Sequence, residues 1–525
     1  MNQDSALPML HPQGEQLPIE TPPRPGPQTL DTFAGPVKVE WDRSSPLTPH
    51  GQLVYFAEFL KVSGLFEAAV RDCPLTYSSP NAPEVRDVIG TWVLSALAGH
   101  KRYAHVTALR ADQVLPELLG MDKMVSEDSL RRALAAMPEE GLDWLQSHID
   151  RCTSPLLGER YIIDMDATVK PLYGRQEGAA VSYNPKKPGR PSHVHHTYTL
   201  AGLRLVLGVE TVPGNEHTGK HTAAGLWALI DRTPRDCWPT LLRGDSGNGS
   251  EGTMAGAESR GIAFLFKLRL TKGVKTLVER TFSRTGWTGA GQGWQGQWAE
   301  LRLMGWSRQR RVVVLRRRLR SNIAAEIRDA DGQSRLSFAE IEEDAPIWEH
   351  AVLVTSLDLE TIGDDPNDGI RTIAQLYRDR ADCENVFDEL KNQWGWGGFT
   401  THDLARCRLA ARMVALVYNW WNIFVRLAAP DKHLEAITSR PLLLAGIAER
   451  TRHGRQTTLR IASTHGRAAW AERVLTAVAT FLRSLKDTAE QLTDDQRWAR
   501  ILAHAARSWL QGRQLRAPPR LMAPA

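Results

Sequence analysis

From residue 158 the hydrophobic period of the chain is two. In RYIIDMDATV the side chains of Tyr161, Ile163 and Met165 fall on one face of an extended segment, and Asp164 and Asp166 on the other. The alternation continues from His196 to Leu200, and Gly202 then turns the chain into LRLVLGVETV, which reads as a β-hairpin. KHTAAGLWALIDR has helical spacing, CWPTLLRGDSG is a short apolar strand ending at Arg243, TMAGAESRG reads as a helix, and AFLFKLRL is a further strand. The order strand, strand, strand, helix, strand, helix, strand constrains this region to an α/β sheet.

The flanks follow other periods. Residues 1–45 are rich in Pro and polar residues without a period, so they predict a flexible Pro-rich arm. Residues 46–157 read as helices, among them SEDSLRRALAAM capped by Ser126; with Arg131 and Arg132 this piece suits either a DNA-reading helix or a small bundle with solvated arginines. After Leu270 the rhythm is lost, and residues 271–349 read as a β-rich insertion of Gly, Trp and Arg. The core pattern returns with HAVLVTSL and one long helix, RTIAQLYRDRADCENVFDELKNQW. The core is therefore assigned to residues 158–270 and 350–400, and residues 401–525 to an all-helical tail.

Composition excludes more than it selects. In 525 residues, 65 Lys+Arg against 60 Asp+Glu leave a net charge of +5, too weak a global field to name nucleic acid as the partner, so any such argument must be local. Five cysteines, widely spaced and without a C-x-x-C pair, argue against a disulfide framework or a Cys-type zinc site. No stretch approaches the roughly 18 apolar residues that cross a bilayer. The expectation is a soluble, cytoplasmic protein without a membrane partner.

Three carboxylates stand at suggestive places: Asp166 at the expected end of a strand, Asp245 just after another, and Glu384 on the long helix. Strand ends and an adjoining helix can converge on one point. Three convergent carboxylates suit two Mg²⁺ ions, which take oxygen ligands and keep positions open for phosphate and water. At about 100° per residue, Tyr377, Arg380, Glu384 and Lys391 fall at roughly 0°, −60°, −20° and −40° on one helix. The stripe thus presents a carboxylate, two cations and a phenol together, with Leu376, Cys383, Val386 and Leu390 on the buried side. An ordinary exposed helix with ion pairs fits the same stripe. Asp164 rivals Asp166 as first ligand, and Asp388 rivals Glu384.

Other residues admit other chemistry. GDSG at 244–247 is similar to a serine-protease nucleophile motif, but the following Asn248-Gly249 departs from it, and Ser246 reads more simply as a turn residue. His193, His195, His196, His217 and His221 suggest zinc, yet closed Cys/His spacings are absent, so they read as surface groups or supports beside a phosphate-rich groove. NPKKPGRP offers Lys186, Lys187 and Arg190 to a DNA backbone, the alternative being an exposed basic loop. The run from Arg308 to Arg320 carries basic groups on both faces, which predicts an edge or DNA-facing strand.

The spacing Tyr-x2-Arg-x3-Glu-x6-Lys in YRDRADCENVFDELK resembles the signature of one large class of bacterial insertion-sequence DDE transposases. DMDATV and RGDSG are similar to that class's first and second Asp motifs, and YGRQEGAAVSYNPKKPGRPS to a stretch of one subgroup. The resemblance covers roughly residues 85 to 425. It implies a ribonuclease-H-like core interrupted by a β-rich insertion. It also implies a Mg²⁺-binding triad of Asp166, Asp245 and Glu384, with Mn²⁺ able to substitute. Tyr377, Arg380 and Lys391 would grip the phosphates of the element's end. The implied activity is cutting of double-stranded DNA at terminal inverted repeats and joining of the 3′-hydroxyls to target DNA, by a homodimer in the synaptic complex. A DNA-binding protein without catalysis, and a ribonuclease-H-like nuclease that does not join, are the alternatives.

The 17 tryptophans divide in two. Trp92, Trp144, Trp420 and Trp421 lie in helical patterns and read as core. Trp287, Trp294, Trp298 and Trp306 cluster in the insertion, where an aromatic face can stack on an unpaired base. In the resembling transposases the insertion holds such a flipped base, and Trp298 is the first candidate for it.

Overall fold

The structure, a computed structural model, describes residues 26–42, 44–182, 184, 187–216, 218–319, 347–358, 366–462, 464–488 and 491–515. The chain divides into two compact units, Met1–Ser45 and Pro46–Ala525. In the first, where the composition predicts an arm without elements, Gln28–Thr32 and Gly35–Val39 pair as an antiparallel hairpin. Its turn closes locally, the Thr32 hydroxyl donating to the Gly35 carbonyl at 2.8 Å with Gly35 at φ +96°, so no apolar period was needed to signal it.

The second unit opens with helices α1 (Leu53–Ser63), α2 (Leu65–Arg71), α3 (Val85–Leu97), α4 (Glu127–Ala135) and α5 (Glu140–Thr153). Ser126 caps α4, accepting from the Ser129 amide at 3.1 Å. Leu130, Ala133 and Leu134 bury one side of α4, while Arg131 pairs with Glu127 at 2.7 Å and lies 4.7 Å above the Tyr103 ring.

A ten-stranded sheet follows: β1 (Ile162–Pro171), β2 (Ala180–Val181), β3 (Pro191–Leu200), β4 (Leu205–Pro213), β5 (Leu241–Gly244), β6 (Ala263–Lys267), β7 (Thr288–Gly291), β8 (Trp294–Leu301), β9 (Arg310–Arg318) and β10 (Trp348–Thr355). The order is β7-β8-β9-β10-β6-β5-β1-β3-β2, with β4 also on β3. β1, β5 and β6 are mutually parallel; β3 and β10 join them antiparallel. Between the strands lie α6 (Thr218–Ile230), α7 (Glu251–Arg260) and α8 (Lys272–Phe282). The alternation seen in the sequence decides the faces: Ile163, Met165, Leu242, Phe264 and Phe266 enter the larger core, whereas Leu241, Leu265, Val313 and Leu353 form a smaller one.

Helices α9 (Pro366–Arg378), α10 (Ala381–Gln393), α11 (Leu404–Ala428), α12 (Ala436–Leu443), α13 (Ala468–Lys486) and α14 (Asp494–Ala505) complete the unit. Ile370, Ile373 and Ala374 of α9 cover the smaller core. α11 is buried almost throughout; its Asn419 side chain pairs with both the N–H and the C=O of Val206, each at 2.8 Å, in the manner of a neighbouring strand. No helix among the described residues is long and apolar enough to cross a membrane.

Three expectations need correction. The long helix is two: Arg380 N–H bonds to Tyr377 O and Cys383 N–H to Arg380 O, three residues back in each case, so the chain tightens between α9 and α10. The tail is not all helical, because Ala448–His453 and Gln456–Ile461 form a hairpin that pairs with Leu47–Thr48; their Thr- and Arg-rich sequence lacks the apolar alternation of a core strand. The Arg-rich run is an inner strand, not an edge, with Val312, Val313 and Val314 fully buried. Part of its charge is paired: Arg310 with Glu251 at 2.6 Å and Glu258 at 2.7 Å on α7, and Arg317 with Glu349 on the adjacent strand at 2.6 Å. Arg320 lies outside the described residues.

Candidate active site

Parallel pairing of β1 with β5 sets Met165 opposite Gly244, so the next residues on, Asp166 within β1 and Asp245 just past the end of β5, stand side by side. Asp166 accepts from the Ala167 amide at 2.7 Å. Burial first, then the charge of Asp245, pushes the Asp166 carboxyl up to about 6, with Arg380 opposing the rise. Asp245 accepts from the Gly247 amide at 2.9 Å and the Asn248 side-chain amide at 2.8 Å.

Asn248 was not singled out as a functional residue in the sequence. Its amide also reaches the Met165 carbonyl at 3.3 Å, and its own oxygen accepts from the Thr222 hydroxyl at 3.3 Å, so it ties the Asp245 turn to the Asp166 strand. The signal available was its spacing, an Asn three residues after Asp in a Gly-rich turn, where side-chain amides satisfy turn backbone.

Glu384 lies on the first turn of α10 with a largely exposed side chain. It meets the aspartates through Arg380, whose guanidinium donates to Glu384 Oε1 at 2.7 Å and to Asp166 Oδ2 at 3.5 Å. Burial disfavours the charge of Arg380, but Tyr377, Asp166, Cys383 and Glu384 together hold its pKa above the ordinary value. The same guanidinium stands 5.7 Å from the Tyr377 ring, and burial raises the Tyr377 phenol against the pull of Arg380. Lys391 is half-buried two turns further along α10.

The rivals are placed elsewhere. Asp164 is bound by Arg243 through both oxygens, at 2.7 and 2.8 Å, within the sheet. Asp388 is exposed and accepts from the Asn392 side-chain amide at 2.7 Å. Among the described residues no three or more His, Cys, Asp or Glu are arranged as a set that holds a metal ion. The structure therefore brings Asp166 and Asp245 together, and brings Glu384 to them with Arg380 interposed.

The end of α10 is fixed by Trp394 and Trp396. Trp396 stacks on His195 of β3 at 5.1 Å and on Phe387 at 6.3 Å, and its indole donates to the Ala411 carbonyl at 3.1 Å. Trp394 donates to the buried Glu389, which also accepts from the Ala436 amide at 2.9 Å and faces His433 at 2.7 Å. Gly395, at φ +73°, lies where a Cβ would stand 2.2 Å from the His100 carbonyl, so the turn between the two indoles admits only Gly.

The three histidines of β3 are buried, not surface groups. His193 bonds the Glu177 carbonyl at 2.8 Å, His195 the Thr211 hydroxyl at 2.8 Å, and His196 stacks on His221, which pairs with Glu210 at 2.6 Å. All three of the β3 histidines face neighbours that a sheet interior supplies and a sequence window does not. His217 lies outside the described residues.

In the basic loop Lys186 lies outside the described residues. Lys187 and Arg190 stand 4.8 and 4.9 Å from the exposed Tyr173 ring, and a hydrogen bond from Lys187 lowers the Tyr173 phenol pKa. In the insertion Trp294 and Trp298 border the smaller core together with Tyr377, under Arg317 at 4.9 Å and Arg311 at 5.0 Å respectively. Trp287 and Trp306 join the larger core instead, Trp287 with Arg316 only 3.8 Å from its ring.

The sequence pattern of the family described as transposase DDE domain group 1 matches residues 37–486. No curated protein matches the chain. Among solved structures, a cryo-electron microscopy structure of a piggyBac transposase synaptic complex with hairpin DNA is similar at 10% identity and a TM-score of 0.37, over 88% of this chain and 86% of that one. A likeness at that level says nothing further of the fold. The family match spans most of the sequence, and the chain belongs to the DDE transposase domain group 1 family.

Proposed function

We propose that this transposase cuts double-stranded DNA at the terminal inverted repeats of a bacterial insertion sequence and joins the 3′-hydroxyl ends to target DNA. The observation that carries the reading is the pairing of Asp166 with Asp245, whose repulsion, together with burial, holds Asp166 up to about 6. Two carboxylates side by side where the parallel pairing of two strands ends are a costly arrangement without a cation, and their oxygens suit a hard divalent ion. Asp166 and Asp245 would hold Mg²⁺, or Mn²⁺ in its place, and Glu384 would complete the triad when Arg380 releases it. When bound, two such ions polarise the scissile phosphate and the attacking oxygen.

The chain's own groups position the DNA. Arg380, freed from Glu384, and Lys391 present cations along α10 to the phosphates, with Tyr377 beside them. Lys186, Lys187 and Arg190 would track the backbone next to Tyr173. Trp298 is only half-buried, and its open part would stack on an unpaired base. The order β4-β3-β1-β5-β6, in which β3 alone runs against the other four strands, supports a ribonuclease-H-like core. Two ends must be synapsed, which supports a homodimer.

The test is to incubate the purified protein with labelled terminal-repeat duplex and Mg²⁺ and to follow nicks and joined products. Both products are expected. Binding without a nick would overturn the enzyme reading, and nicks without joined product would make the protein a nuclease.

A further inference from the structure

The hairpin Ala448–His453/Gln456–Ile461 turns through Gly454 and Arg455, with Gly454 at φ +58°, the glycine-first form of a two-residue hairpin. Its base is anchored: Ala448 is buried and pairs with Thr48, and Arg450 and Arg452 both reach Glu117, the latter at 2.7 Å. Its outer half is different. Every residue from Arg452 to Thr458 is exposed, and neither face of this half carries an apolar side chain.

A two-stranded hairpin without an apolar face gains nothing by burial, so folding alone gives no reason for this projection. Its chemistry is that of a nucleic-acid reader. Arg452, Arg455 and Arg460 face a single acid within the hairpin, Glu449, which lies opposite Arg460. His453, Arg455 and Gln456 have no side-chain hydrogen bond or ion pair among the described residues. The major groove admits a two-stranded ribbon; three residues per strand at about 3.4 Å each reach about 10 Å, comparable with its depth of about 8.5 Å. Arg pairs with guanine O6 and N7, and Gln with adenine N6 and N7.

We propose that the ribbon Arg452–Thr458 enters the major groove of the terminal-repeat duplex, with Arg455 and Gln456 reading base edges. This rests on the transposase reading, which supplies the DNA. The full-length protein is compared with Arg455→Ala/Gln456→Ala, and with a variant in which Asn-Gly replaces residues 452–457. The probes are a fluorescent terminal-repeat duplex from the DNA flanking the gene and a scrambled duplex of equal length. Thermal unfolding checks that the variants are folded.

The expected result is a weakening of about tenfold or more for the repeat duplex and a change of threefold or less for the scrambled one. Methylation interference at guanine N7 should lose one block of positions in both variants. Binding of the repeat within twofold of wild type with an unchanged interference pattern would overturn the proposal. So would an equal loss on both duplexes, which would make the ribbon a backbone contact. A wild-type protein that binds neither duplex would instead overturn the transposase reading itself.

Discussion

Asp164 and Arg243 form a bidentate ion pair, at 2.7 and 2.8 Å, with both side chains almost fully buried, and the third guanidinium nitrogen donates to the Leu376 carbonyl at 2.6 Å. Arg243 thereby links β1, β5 and α9 beneath the aspartate pair. Asp164→Ala should leave that cation buried and unpaired, at a cost of about 3–5 kcal/mol. Denaturant unfolding of Asp164→Ala checks it. The double variant Asp164→Leu/Arg243→Leu should recover most of the loss, because no charge is then stranded.

Asp166 should behave in the opposite way. Its folded pKa, up to about 6, lies above the unfolded value, so the folded state binds the proton more tightly. At neutral pH this side chain destabilises the fold, by on the order of 3 kcal/mol, and the penalty fades as pH falls from about 6 to about 4. Asp166→Asn should therefore raise the melting temperature at pH 7.5, and the two proteins should converge only as pH approaches about 4. Added Mg²⁺ should stabilise the wild type and not the variant. Thermal unfolding across pH, with and without Mg²⁺, gives both results.

These opposite roles of two aspartates, one residue apart, mark how far the sequence could be read. Period-two alternation put Asp164 and Asp166 on one face, and the strand and helix order of the sheet followed from the same pattern. Which aspartate is spoken for depends on Arg243, seventy-nine positions away, and on parallel register between strands. The break at Arg380 was equally hidden: helical spacing is continuous through YRDRADCENV, and the guanidinium at the turn reaches Asp166, which lies far away in the sequence. The hairpin at 448–461 and the inner position of the strand at 310–318 were missed because arginines in both pair with Glu117, Glu251 and Glu258, partners that no local window contains.

Trp396 holds the far end of α10 against β3. Trp396→Ala should cost about 3–5 kcal/mol, and Trp396→Phe less, since a ring between His195 and Phe387 survives. Cleavage should fall further in the Ala variant than its folded fraction explains, because Glu384 rides on the same helix. Nicking rates normalised to the folded fraction check this.

Lys391→Ala should weaken binding of end DNA and reduce the slope of log K against log salt by about 1, the loss of one phosphate contact. Titrations of labelled duplex at several salt concentrations supply the slope. An unchanged slope would remove Lys391 from the DNA contact.

The measurement closest to the central claim compares wild type with Glu384→Gln for nicking of terminal-repeat DNA in Mg²⁺, with binding followed by anisotropy on the same duplex. Removing one carboxylate that acts on the reacting phosphate should lower nicking by about a thousandfold or more while the Kd changes only a few-fold. Nicking by Glu384→Gln within tenfold of wild type would contradict a triad of Asp166, Asp245 and Glu384.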